Sequence, residues 1–198
     1  LSSSIFLFPF AKLSDIFGRK RVFVIGTAVF TLACCVLAFV TSAPMLIALR
    51  AVQGFGTSMT FGTGVAILSS VYPPRERGRA MGITISCVYT GLATGPFIGG
   101  IITQHFGWQY LFAINVQVGI ALVGAILLFL KGEWKEAAGE RFDFTGSILY
   151  AAALAGVMHG IYYIPTTEAY LSIVGGIAAL VAFFLVEARV KSPVLDIR

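Results

Sequence analysis

Arg50 is the residue of this 198-residue chain whose chemistry demands an explanation, because it stands inside a long apolar run. A guanidinium is charged at any physiological pH, and placing one within a lipid bilayer costs at least about 2.5 kcal/mol even on the most lenient scale. Its company offers a reason. Arg50, Gln53, Thr57, Thr60 and Gly64 recur at steps of three and four, so one helical face is polar for most of its length. Such a stripe suits a protein interior or a water-filled cavity, where Arg50 could bind anions or compete electrostatically for a proton. Two blander readings stand beside it. Arg50 lies about six residues into its helix, roughly 9 Å deep at 1.5 Å per residue, within reach of the outer headgroups. Gln53, Thr57 and Thr60 could simply hydrogen-bond between helices.

Two further groups carry spacing with physical content. Gly91, Gly95 and Gly99 repeat every four residues, a strip that admits a close neighbouring backbone, and Pro96 within it makes either a hinge or a permanent kink. Asp15 and Arg19 stand four apart, so one helical turn pairs them, and Gly18 permits a sharp reversal between spans. An ordinary positive loop would look the same. His159 reads as a hydrogen-bonded interior histidine, His105 as a surface residue, and Asp143 as a helix N-cap rather than a coupling carboxylate. Cys34, Cys35 and Cys87 lack ligand spacing and read as packing residues, so no metal site is expected. No nucleophile–base grouping suggests an enzyme, no cofactor is called for, and Met59 stands where a dinucleotide-binding loop would need its third glycine.

The elements that must position these residues follow from composition. The chain is 58% hydrophobic and only 12% charged, against roughly 25% charged for a soluble domain. Its net charge of +5 does not suggest nucleic acid, because the basic residues are broken up by long apolar runs rather than spread along a groove. A hydrocarbon core of about 30 Å needs about 20 helical residues. Seven apolar segments follow: 1–11, short and read as truncated, and then 22–40, 45–71, 80–103, 110–130, 144–164 and 169–186, each of about that length. The expected fold class is therefore all-α, a polytopic transmembrane helical bundle.

The gaps alternate in charge. Thirteen of the fourteen Lys and Arg fall in alternate gaps: Lys12, Arg19, Lys20, Arg21; Arg75, Arg77, Arg79; Lys131, Lys135, Arg141; and Arg189, Lys191, Arg198. The intervening gaps have none. Basic short loops stay cytoplasmic, so the pattern implies a multi-pass protein of the cell membrane with these loops inside. Tyr72, Trp108, Tyr110, Trp134, Tyr162, Tyr163 and Tyr170 near span ends match an interfacial belt. The expected organisation is a partial bundle over 1–130, a cytoplasmic loop over 131–143, and two further spans with a cytoplasmic end over 144–198. The chain starts at Leu1 without a signal-peptide pattern and reads as a piece of something longer.

Three motifs, in order, resemble the major facilitator superfamily. Ala11 to Phe23, AKLSDIFGRKRVF, is similar to the loop signature G-x-L-A/S-D-x-x-G-R-K/R, with Ala11 replacing its first glycine. Arg50 to Gly56 resembles R-x-x-Q-G-x-G, and Gly91 to Gly100, GLATGPFIGG, resembles the antiporter motif G-x-x-x-G-P-x-x-G-G. In that register the chain holds spans two to six of the family's N-terminal half, then two linker helices. The short central loop and the terminal EARVKSPVLDIR look like the fourteen-span drug:proton antiporter group. The resemblance implies an alternating-access exporter of drug-like or amphipathic compounds, driven by a proton gradient; a nutrient importer or uniporter on the same scaffold is the alternative. It implies Arg50, Gln53 and Thr57 at the proton-coupling or substrate cavity. Asp15, Gly18, Arg19 and Lys20 would form a conformational latch, and Gly91, Gly95, Pro96, Gly99 and Gly100 the cavity-shaping antiporter helix. The implied partners are the bilayer, a small-molecule substrate, protons and the remaining half of the transporter.

Overall fold

The computed structural model describes residues 2–140 and 142–190, and these form seven helices without a strand among them. They are α1 (Ser2–Phe17), α2 (Arg19–Leu37), α3 (Ala43–Val71), α4 (Pro74–Phe106), α5 (Gln109–Phe129), α6 (Phe144–Tyr162) and α7 (Thr167–Glu187). A helix covers each expected span. Their ends differ from expectation because helices run on past the apolar stretch: Lys12 and Asp15 sit in the last turns of α1, and Arg75, Arg77 and Arg79 open α4. Once a helix is nucleated, each added residue gains a hydrogen bond, so the lipid boundary does not end it. The connection between the first two helices is consequently Gly18 alone, at φ +119°.

Five helices, α2, α4, α5, α6 and α7, are long and apolar enough to cross a membrane. The described part of α1 has 16 residues, and the polar stripe of α3 lowers its apolar character, although α3 is long enough at 29 residues. Large apolar side chains cover the outer surface, among them Phe39 (81% exposed), Phe129 (82%) and Leu128 (74%). That surface is compatible with lipid as solvent and not with water.

α1, α2, α3 and α5 pack into one group, with α4 at its edge, while α6 and α7 form an antiparallel pair that leans on α1. Small residues set the close crossings. A Cβ on Gly56 would stand 2.6 Å from the Phe30 amide nitrogen and 2.7 Å from the Gly26 carbonyl oxygen, so α2 and α3 touch backbone to backbone. In the pair, a Cβ on Gly176 would meet the Val157 amide at 2.7 Å and the Ala153 carbonyl at 2.9 Å. A buried apolar cluster of Cys34, Leu37, Val40 and Phe112 closes one end of the α2–α3–α5 group. Cys34 is thus a packing residue as expected, whereas Cys35 and Cys87 are exposed.

α4 departs most from expectation. It has no buried residue, and a Cβ on Gly91, Gly95 or Gly100 would have nothing within 4 Å. Gly99 finds only a Leu111 methyl, at 4.0 Å. The glycine strip therefore has no close backbone partner among the described residues. The helix continues through Pro96 without interruption.

Asp143 caps α6 as expected, its Oδ1 accepting the Gly146 N–H at 2.9 Å. His159 does not lie in the interior: it sits on an exposed face of α6, its ring 4.7 Å from that of Tyr163. His105 is exposed, as read from the sequence. Arg141, Lys191 and Arg198, with most of the terminal EARVKSPVLDIR segment, lie outside the described residues.

Candidate functional site

The polar stripe of α3 faces α2 and α5. Gln53, 7% exposed, accepts from the Arg50 guanidinium at 2.9 Å and donates to Cys34 Sγ on α2 at 3.0 Å. The Arg50 guanidinium carbon lies 4.9 Å from the ring centroid of Phe112 on α5. The cation thus rests on an aromatic face while one N–H is fixed by an amide, although the residue itself is exposed among the described residues.

Deeper along α3, Thr57 Oγ1 donates to the Gln53 carbonyl at 2.8 Å and Thr60 Oγ1 to the Gly56 carbonyl at 3.1 Å. Thr60 also lies 3.5 Å from the Thr27 hydroxyl of α2. These are the interhelical and back-bonded hydroxyls of the blander reading. Even so, the stripe is not sealed. Thr57 and Thr60 line a crevice of about 160 Å³ with Thr27, Phe30, Asn115 and Gly119. Asn115 was not singled out in the sequence; it is exposed on α5, with its amide donating to its own helix at the Leu111 carbonyl, 2.7 Å away.

The other face of α3 meets α1. Phe55 packs edge-on against Phe6 and Phe10 at 5.1 and 4.6 Å, and Gly54 and Gly62 admit the α1 backbone. Gly54 and Gly56 therefore serve opposite faces of one helix, close approach to α1 and to α2 respectively.

At the basic end, Arg19 Nε donates to Asp15 Oδ1 at 2.7 Å, the one-turn pair expected from the spacing. The sequence did not disclose the rest. Arg19 is 5% exposed and also donates to the Ala66 carbonyl and the Ser70 hydroxyl of α3, at 3.2 and 2.6 Å. Its two terminal nitrogens meet the two carboxylate oxygens of Glu136 at 2.8 and 2.6 Å. The Lys20 amide donates to Glu133 Oε1 at 2.8 Å, and the Lys20 ammonium to the Leu130 carbonyl at 2.5 Å. Lys12 pairs with Glu140 at 2.7 Å. A Cβ on Gly18 would fall 2.5 Å from the Glu133 side chain, so glycine is required there by contact as well as by φ. Glu133, Glu136 and Glu140 thus gather on the α1–α2 turn from more than a hundred residues away, a separation no local spacing signals.

The structure does not bring the three motif regions into one site. Arg50 and its partners lie in the α2–α3–α5 group, the Asp15–Lys20 turn at that group's basic end, and the glycines of α4 on an open edge. No cluster of metal-ligating side chains occurs among the described residues.

A bundle of apolar-surfaced helices with an arginine in mid-helix and a charge-paired turn at one end defines a multi-pass membrane protein. The chain belongs to the Major Facilitator Superfamily, whose family model matches residues 1–186. Among its relatives are a riboflavin transporter of Clostridioides difficile, 34% identical over 91% of this chain and 39% of that protein, and a cephamycin export protein of Amycolatopsis lactamdurans, 35% identical over 94% and 40%. A methylenomycin A resistance protein of Bacillus subtilis is 32% identical over 92% and 40%. The chain spans about two fifths of the length of these relatives.

Proposed function

We propose that the full-length protein containing this chain exports drug-like or amphipathic compounds by alternating access, in exchange for protons. What carries this reading is that export and resistance proteins match across nearly the whole chain, including the stretches that hold the Arg50 and Gly91–Gly100 motifs. The physical role assigned to Arg50 is a fixed positive charge in a low-dielectric setting. There it favours the ionised form of any carboxylate that approaches it and competes with a proton for that carboxylate. Gln53 and Phe112 hold the guanidinium in place, and Thr57 offers a hydroxyl beside the crevice. The open glycine face of α4 is assigned to packing against the rest of the full-length protein, where residues without side chains let helices slide and seal. The basic turns are assigned to the cytoplasmic side, and no cofactor beyond the proton gradient is invoked.

The riboflavin transporter among the relatives favours a second reading, a vitamin-like or other nutrient substrate on the same scaffold. Everted vesicles containing the full-length protein separate the two. The exporter reading expects uptake of ethidium that stops when nigericin collapses ΔpH. Riboflavin flux, with ethidium uptake indifferent to ΔpH, would replace it.

A further inference from the structure

The contacts made by residues 131–140 exceed what a connecting loop needs, and they fall on the turn singled out as a latch. Two of them complete α2 itself. The first N–H groups of a helix have no partner inside it, and Gly18, kept at positive φ, has no side chain to cap them. The segment supplies both partners: the Trp134 carbonyl accepts the Arg19 N–H at 3.0 Å and Glu133 Oε1 accepts the Lys20 N–H at 2.8 Å. A carboxylate at a helix N-terminus also complements its dipole. In return the Ala137 N–H donates to the Asp15 carbonyl at 3.0 Å, so the segment is bonded to both helices that flank the turn.

Arg19 has two carboxylate partners of different kinds. Asp15 is on the preceding helix, one turn away, and stays with Arg19 wherever that turn goes. Glu136 comes from the segment and is 67% exposed, while Arg19 is 5% exposed. A buried guanidinium left without an anion is strongly unfavourable, but Asp15, Ser70 and the Ala66 carbonyl remain when Glu136 leaves. Glu136 is therefore the exchangeable partner.

We propose that residues 131–140 are a releasable clasp on the α1–α2 turn. Glu136 and Glu133 are positioning residues that hold Arg19 and the start of α2 in one arrangement, and the clasp ties the α6–α7 pair to the bundle. The segment leads into α6, which touches the bundle again through Phe8 and Tyr150, rings 5.3 Å apart. With the clasp closed, the pair moves with α1 and α2. With it open, the basic turn is free to change partners while the pair is held by the α1–α6 contacts, among them the Phe8–Tyr150 rings and the Tyr150 hydroxyl donating to the Ser4 carbonyl at 3.4 Å. As a step in transport, the clasp rests on the transporter reading; as a structural device, it does not.

The test uses the full-length protein in proteoliposomes that expose the basic loops, with trypsin cleavage at Lys135 followed by mass spectrometry. Lys135 is exposed, but cleavage requires the segment to detach locally. Glu133→Gln with Glu136→Gln should speed cleavage about tenfold with the melting temperature unchanged, because only one anion is withdrawn from Arg19. Lys12→Glu and Glu140→Lys should each speed it, and the two together should restore the wild-type rate to within about twofold, as direct charge pairing requires. Cleavage rates unchanged in the double glutamine variant would overturn the clasp, as would the absence of rescue in the charge exchange. With ethidium as transport probe, the glutamine pair should change turnover at least about threefold and KM by less than about twofold, since the clasp lies away from the polar stripe. Unchanged turnover together with faster cleavage would overturn its role in transport. If the wild-type protein moves no ethidium, the exporter reading fails while the cleavage result still decides the clasp.

Discussion

Arg50 shows how a residue can be conspicuous in a sequence while its partners stay hidden. Its place in an apolar run announces a cost, but Phe112 is 62 positions away on another helix, and only the packing of α5 on α2, which itself packs on α3, puts its ring under the guanidinium. The contact with Gln53 was accessible from the three-residue step; the contact from Gln53 to Cys34 was not. If Arg50 acts as a fixed charge in transport, Arg50→Ala in the full-length protein should reduce ΔpH-driven ethidium flux at least about tenfold, equivalent to roughly 1.4 kcal/mol of barrier. Arg50→Lys should recover little of that loss. An ammonium is a compact point charge without the planar fork that lets the guanidinium rest over Phe112 while donating to Gln53. Flux within twofold of wild type in Arg50→Ala, at matched expression, would assign the stripe to packing alone. The Asp15–Arg19 pair was readable for the opposite reason: both members share one helical line, and their 2.7 Å contact needs no tertiary information.

Among elements, the helices were legible because lipid imposes a length and an apolar surface on each of them, and all seven are where the hydropathy placed them. Their ends were not, since Lys12, Asp15 and Arg75 are as helical as the apolar residues that precede or follow them. The glycines divide along a physical line. Gly26, Gly56, Gly156, Gly160 and Gly176 form close crossings, and of these only Gly156 and Gly160 share the four-residue step, too short a run to make a strip. Gly91, Gly95 and Gly99 form the visible strip and cross nothing described. Substitutions at the two kinds of position should therefore separate. Gly56→Val drives a side chain into the α2 backbone and should cost about 1–3 kcal/mol as overpacking, lowering the melting temperature of the detergent-solubilised protein. Gly95→Val meets nothing among the described residues, so a loss of flux in the full-length protein beyond valine's small helix-propensity effect would point to contacts that α4 makes elsewhere. Equal melting temperatures for Gly56→Val and wild type would contradict the close crossing at Gly26.

For the molecule as a whole, the basic ends of the helices and the clasp make one linked statement about orientation. Lys12, Arg19 and Lys20 carry the charge that should hold the α1–α2 turn on the cytoplasmic side, and Glu133, Glu136 and Glu140 neutralise part of it. The positive-inside rule depends on Lys and Arg far more than on Asp and Glu, so this pairing should not weaken the bias. The opposite end carries the Gly107 turn between α4 and α5, where no Lys or Arg occurs. Cysteines placed at Gln104 and at Ala138, both exposed, should therefore report opposite sides of the membrane. With Cys35 and Cys87 replaced by alanine and the fully buried Cys34 left in place, a membrane-impermeant maleimide added to intact cells should label Gln104→Cys at once. It should label Ala138→Cys only after permeabilisation. The reverse pattern would place the clasp outside the cell and remove the orientation on which the export direction rests. Labelling of both positions in intact cells would mean that α5 does not span. Since α5 alone separates Gln104 from Ala138, the experiment tests that single crossing, and with it the register of charge alternation along the rest of the chain.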